Sequence, residues 1–221
     1  TAFSGSHQDA INKGMSGYKE KETPNWDVPY LTIDPQDIGR SYEAIIRINS
    51  QSGKGGIAYI MDSEFNCQIP KKMQPELSHI VQKVADRTGE EVTPDTIWES
   101  FESQFININT PLTLRDVQTN IMSTSSSACE IDVDYNGESH TLDGKGNGPI
   151  DSVKDALLQL FPSLKILSYS EHSLSKGSDS NAICYLEVEQ NGVQCFGVGV
   201  HSSIIMASIK ALFSGLNRSL K

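Results

Sequence analysis

The sequence lacks any long apolar run. No stretch approaches the roughly 18 residues that a membrane-spanning helix needs, and no basic segment followed by an apolar one marks a secretory signal. Nor is there an initiator methionine: the chain opens on Thr1-Ala2-Phe3, which reads as a cut inside a longer polypeptide. Basic residues are outnumbered, with 18 Lys and Arg against 28 Asp and Glu and a formal net charge of −10. That excess argues against nucleic acid or anionic membrane as a partner, because both attract basic surfaces. Cysteine is sparse. Cys67, Cys129, Cys184 and Cys195 form no C-x-x-C pair, which disfavours zinc and thioredoxin-like readings and fits free thiols in a reducing cytoplasm. Cys184 and Cys195 fall on consecutive predicted strands where they could face each other. Buried thiols acting as small apolar residues are the plainer expectation. The five histidines, His7, His79, His140, His172 and His201, show no H-x-H or H-x-x-x-H spacing, so no intrinsic metal is expected. Ser52-Gly53-Lys54-Gly55-Gly56 lacks the spacing of a phosphate-binding loop and reads as a flexible turn or hinge.

What is present is a chain of 221 residues, one or two domains by length and long enough to bury a core. Its first half is helical in pattern. His7 to Met15 reads as a short helix and Tyr18 to Asn25 as an exposed polar loop. Asp34-Pro35 and Gly39 break the next stretch, and Tyr42 to Asn49 reads as a strand or the end of a helix. Over Lys71 to Arg87, Met73, Leu77, Ile80, Val81 and Val84 recur at helical spacing, with Pro75 tolerable only in the first turn and Gly89 as a stop. Thr93 reads as the N-cap of a second helix, with Pro94 at its first position and Ile97, Trp98, Phe101 and Phe105 as its apolar stripe. Asn107 to Pro111 reads as a linker.

Beyond the linker the pattern changes and repeats. Leu112–Met122, Cys129–Tyr135 and Glu138–Leu142 read as strands, and Ile150–Phe161 as a helix. Lys165–Ser173, Ala182–Glu189 and Gln194–Val200 read as three more strands, and Ser203–Leu220 as a second helix. Asn136-Gly137 and Asn191-Gly192 are hairpin turns at matching places. This is a βββα unit used twice, an α+β class. Each unit alone is too small to bury its apolar face. Gly144-Lys145-Gly146-Asn147-Gly148-Pro149-Ile150 reads as a glycine-rich turn exposing backbone N–H groups at a helix N-terminus, where a carboxylate can bind.

Taken together, the opening Ser4-Gly5-Ser6-His7-Gln8-Asp9-Ala10-Ile11, the run Val28-Pro29-Tyr30-Leu31-Thr32-Ile33-Asp34-Pro35 and the stretch Tyr42 to Ile60 closely resemble the long form of the 2-isopropylmalate synthase family. The resemblance covers the part that follows the catalytic barrel. It implies linker subdomains over residues 1–52 and 53–109, then a leucine-binding dimerisation domain of two βββα units over residues 110–221. It implies that His7 and Tyr30 reach into the partner subunit's barrel. There acetyl-CoA is condensed with 2-oxoisovalerate and the thioester is hydrolysed, with His7 suited to shuttling a proton and Tyr30 to donating a hydrogen bond to a developing oxyanion. A divalent metal is implied in the absent barrel and no cofactor in this part.

The resemblance also places an effector leucine at Gly148, Ile150, Asp151, Ile166, Tyr169, Ser173, Ser180, Ala182 and Ile204, within a homodimer. Ser173 and Ser180 stand where the family often has alanine, and Asp151 where a small apolar residue is common. A carboxylate facing the slot would oppose the effector's own. The Tyr30 to Pro35 run and Ser50 to Gly56 favour this branch over the citramalate and homocitrate synthases. A stand-alone amino-acid-binding dimerisation module is the competing reading from another class.

Overall fold

The computed structural model describes residues 5–19, 26–39, 54–88, 92–123, 126–175 and 180–221. They fall into two compact units, residues 1–100 and residues 101–221. The Tyr42 to Asn49 expectation, the end of the polar loop after Lys19, Ser52-Gly53 and the Gly89 stop lie outside the described residues.

The first unit is helical. α1 spans Gly5–Lys19, longer than the sequence pattern suggests, and takes in Tyr18. Asp34 and Gly39 bracket a single 3₁₀ turn, Pro35–Ile38: Asp34 Oδ1 accepts from Gln36 N at 2.9 Å, and Gly39 closes it at φ 67°. α2, Lys54–Phe65, occupies the expected hinge. Lys54, Gly55 and Gly56 open a helix because Ile57, Ile60 and Met61 recur at helical spacing and are buried. Burial of that stripe outweighs the cost of two glycines, about 1 kcal/mol each. α2 ends in an αL cap, with Asn66 at φ 51° donating from its N to Asp62 O at 3.0 Å and Cys67 N donating to Met61 O at 2.8 Å. α3, Gln74–Thr88, buries Leu77, Val81 and Ala85 and holds Pro75 in its first turn. α4, Pro94–Phe105, runs through the point of division; Thr93 Oγ1 caps it, accepting from Thr96 N at 3.2 Å.

The second unit is two antiparallel meanders, β1-β2-β3 and β4-β5-β6, each followed by a helix. β1 is Leu112–Ser123, β2 Ser126–Tyr135, β3 Glu138–Gly146 and α5 Pro149–Leu157. β4 is Lys165–Ser173, β5 Ala182–Gln190, β6 Val193–His201 and α6 Ile204–Ser219. The hairpin glycines Gly137 and Gly192 follow Asn136 and Asn191, all four at positive φ, as two-residue turns matched to strand twist require. The repeat holds at the level of register: Cys129 pairs with Gly144, and Cys184 with Gly199. One core serves both repeats. It joins Ile131, Val133 and Leu142 of the first sheet, Leu186 and Val188 of the second, and the inward faces of α5 and α6.

The last strand of each meander is partly covered along its free edge. α5 and the turn after it present Asp151, Asp155 and Gln159 to β3 and the residue after it: Asp151 accepts from Asn147 N at 3.1 Å, Asp155 from Lys145 N at 3.0 Å, and Gln159 donates to Asp143 O at 2.8 Å. The segment expected as a linker is pinned along β6. Asn107 N donates to Val198 O at 2.8 Å, and its side chain exchanges hydrogen bonds with Val200 N and O. Buried Asn217 of α6 holds the far end through Leu112 N at 2.6 Å and Ile108 O at 3.0 Å. Edge groups left open invite pairing with another chain, and these contacts satisfy part of the β3 and β6 edges internally.

Candidate functional site

Residues of the first unit bring two expected side chains together. Val28 to Leu31 form a tight turn, closed by Leu31 N donating to Val28 O at 3.2 Å and braced by Trp26 Nε1 on Leu31 O at 2.7 Å. Pro29 takes the position where its fixed φ fits, and Tyr30 takes the next one at φ 63°. That slot usually belongs to glycine, and holding a bulky residue there costs roughly 1–3 kcal/mol. The turn docks against α1 because Gly14 has no Cβ: one would lie 2.6 Å from Pro29 Cδ. The rings of Tyr30 and His7 therefore sit 4.5 Å apart, centroid to centroid, at 55°, and both are exposed.

In the second unit the expected effector residues form two groups. One lies where β4 and β5 meet the first turns of α6. Tyr169 reaches across to α6, its hydroxyl 3.1 Å from Ser208 Oγ and hydrogen-bonded to Glu171. Ser208 in turn donates to Ile204 O at 2.9 Å. Ser173 pairs with Ala182, which also pairs with His201, and Ile166 pairs with Val188. Ser180 is turned into its own loop, accepting from Ser175 N at 2.9 Å. Burial, then the Glu171 carboxylate, pushes the Tyr169 phenol up, so it is a neutral donor throughout the physiological range. Burial likewise pushes the Cys184 thiol beneath it up to about 12. Ser208 and Cys184 were not among the expected site residues. The signal for Ser208 was its place one turn after Ile204.

The other group is Gly148, Ile150 and Asp151 at the start of α5. Gly148 caps the helix in extended conformation with no side-chain acceptor, so the first-turn N–H groups stay open to a carboxylate. No hydrogen bond among the described residues joins this group to Tyr169 or α6, although Ile150 and Ile166 pack on the same core. The glycine-rich turn is shorter than expected. Gly144 and Gly146 belong to β3, and their missing Cβ atoms let α5 approach: a Cβ on Gly144 would lie 2.1 Å from Ser152 O. Asp151 turns its carboxylate back onto Asn147 N and lies 3.9 Å from Lys154 Nζ. Asp151→Ala is therefore expected to lower stability by about 1 kcal/mol, read by urea denaturation, with leucine affinity little changed. Tighter leucine binding at unchanged stability would put the carboxylate in the ligand slot instead.

None of the four cysteines is in a disulfide bond. Cys184 and Cys195 are not cross-strand partners: Cys184 lies opposite Gly199, and Cys195 opposite Val188. Cys67, Cys129 and Cys184 are buried, as small apolar residues would be. Among the described residues no group of three or more His, Cys, Asp or Glu side chains could hold a metal ion, and no helix is long and apolar enough to cross a membrane.

Residues 1–62 match the family described as alpha-isopropylmalate synthase, post-catalytic domain-like, and residues 91–220 match the LeuA allosteric (dimerisation) domain. The chain is similar to the 2-isopropylmalate synthase of Brucella suis biovar 1, 45% identical over an aligned length of 222 residues that covers 99% of this chain and 40% of the relative. It is similar to the enzyme of the same name in Helicobacter hepaticus, 46% identical over 98% of this chain and 40% of the relative. With that of Corynebacterium glutamicum it is 41% identical over 100% of this chain and 38% of the relative. The chain thus spans about two fifths of the length of these relatives.

Proposed function

The chain belongs to the 2-isopropylmalate synthase family, and from that premise we propose that it is the post-catalytic and regulatory part of such an enzyme. In this reading the whole protein is a cytoplasmic acyltransferase. It condenses acetyl-CoA with 2-oxoisovalerate to 2-isopropylmalate in leucine biosynthesis, works as a homodimer and is inhibited by leucine. The divalent metal of the reaction stays with the catalytic barrel. This chain's own residues contribute a proton carrier, His7, and a hydrogen-bond donor, Tyr30. The domain limits are those of the linker subdomains, residues 1–52 and 53–109, and the effector domain, residues 110–221.

One observation carries the regulatory reading: Tyr169 of β4 and Ile204 of α6 meet at Ser208. Ile166 and Ile204 offer apolar surface for an isobutyl side chain, Tyr169 a neutral hydroxyl, and the uncapped start of α5 a place for a carboxylate. Ser173, Ser180 and Ala182 border the same end of β4 and β5.

Leucine is expected to raise the unfolding temperature of the 221-residue chain, since a ligand at about 100 times its Kd adds roughly 2.7 kcal/mol to the folded state. Tyr169→Ala and Gly148→Val should each remove the shift. Gly148→Val is the cleaner variant. Its backbone is extended and a Cβ there meets nothing within 4 Å, so the fold tolerates the side chain while the helix start is obstructed. A leucine shift equal in wild type and both variants would mean the effector site lies elsewhere.

A further inference from the structure

The second unit carries a half-open pocket of about 430 Å³ that none of the expected effector residues lines. It lies between β1, the Asn107–Asn109 segment and α6. Its size is within the range of pockets that hold small ligands. Leu114 and Val117 of β1 and Met206 and Phe213 of α6 give it an apolar wall. Three half-buried polar side chains line it: Asn107, whose amide is already bonded to Val200 N and O, together with Lys210 and His201.

Their bonding leaves a defined need. Lys210 has no hydrogen-bond or ion-pair partner among the described residues. A partly desolvated ammonium without a counter-charge is unfavourable. His201 Nδ1 accepts from Ser203 N at 2.9 Å, so the proton of the neutral ring is on Nε2, which is left as a donor. The other charged lining residues are exposed: Arg115 is paired with Asp134, and Asp116 has one weak contact, from Gln118 Nε2 at 3.5 Å. Of the half-buried groups, the Lys210 cation and the His201 donor therefore stand beside an apolar wall, with Asp116 exposed. We propose that this cavity binds a small carboxylate with an apolar chain, with Lys210 as its counter-ion, His201 Nε2 as a second donor, and Leu114, Val117, Met206 and Phe213 around the chain.

The test uses the 221-residue chain with 13C-methyl-labelled methionines, titrated with sodium 3-methylbutanoate. The Met206 methyl signal, assigned through Met206→Leu, should shift saturably. Lys210→Met, which keeps the aliphatic stem, should weaken binding by about tenfold or more, as loss of a charged hydrogen bond does. Lys210→Arg should retain it, and 3-methylbutan-1-ol, which has no carboxylate, should bind far more weakly. Tyr169→Ala should leave the titration unchanged. Absence of a saturable Met206 shift up to about 10 mM, weaker than any useful affinity, overturns the proposal, as does equal binding by Lys210→Met. Loss of binding in Tyr169→Ala with retention in Lys210→Met also overturns it, because the carboxylate is then at the effector residues. The leucine thermal shift tests the regulatory reading separately.

Discussion

His7→Ala in the full-length enzyme is expected to lower turnover roughly 10²–10⁴-fold, the usual cost of removing a positioned acid–base group. The expectation rests on how much of this unit is spent on bringing His7 and Tyr30 together. Tyr30 is kept at positive φ, where glycine would be at ease, and its turn is drawn onto α1 through the missing Cβ of Gly14. The two rings that result lie 4.5 Å apart on an exposed surface. A structural role would favour burial of so large a pair; exposure favours a role toward something that approaches from outside. If that is the partner's barrel, a His7→Ala chain mixed with a chain disabled in the barrel should recover part of the activity in mixed dimers. A His7→Ala enzyme with wild-type turnover would remove His7 from the reaction. Mixed dimers confirmed by mass but inactive would place its action within its own chain.

The second unit was the more legible half in sequence, and the reason is physical. Asn-Gly turns fix the ends and register of both hairpins, β2 alternates buried and less buried residues, and β5 is a short apolar run buried almost throughout. So Lys165–Ser173 was bounded correctly at both ends, and β5 and β6 to within a residue at each end. β3 was cut short at Leu142 because Gly144 and Gly146 carry no side chain to continue the alternation. Their role, admitting a helix onto the sheet, is visible only once α5 is in place. α2 was missed for the opposite reason. Its two glycines speak for a hinge locally, and only the burial of Ile57, Ile60 and Met61 speaks for a helix.

The site residues divide in the same way. Positions on strands and helix starts could be read from pattern and resemblance. The direction of Asp151 could not, since a carboxylate in the first helical turn can face a ligand or fold back on the chain. The free N–H of Asn147 decides between them. Ser208 was legible only as a position one turn after Ile204; its link to Tyr169, which joins residues 39 apart in sequence, was not.

Gly199→Ala is expected to destabilise the chain by about 3 kcal/mol, the upper end of the usual cost of overpacking. A Cβ at Gly199 would sit 1.8 Å from Ala207 O and 2.5 Å from Ala211 N. Those are backbone atoms of α6, so no rotamer change relieves the clash. Either the helix lifts from β5 and β6, or the sheet bends away from it. Gly144→Ala should behave alike in the other repeat, where Ser152 O would lie 2.1 Å away. Gly148→Ala, with nothing within 4 Å of the new methyl, should shift the urea midpoint little and serves as the control. The consequence reaches the effector residues, because Ser208 and Ile204 ride on α6. A Gly199→Ala chain that still folds at low temperature should lose the contact with Tyr169 and, with it, the leucine-induced shift. Equal urea midpoints for wild type, Gly199→Ala and Gly148→Ala would mean that α6 does not lie against β6 at this distance, and the placement of Tyr169 beside Ser208 would fall with it.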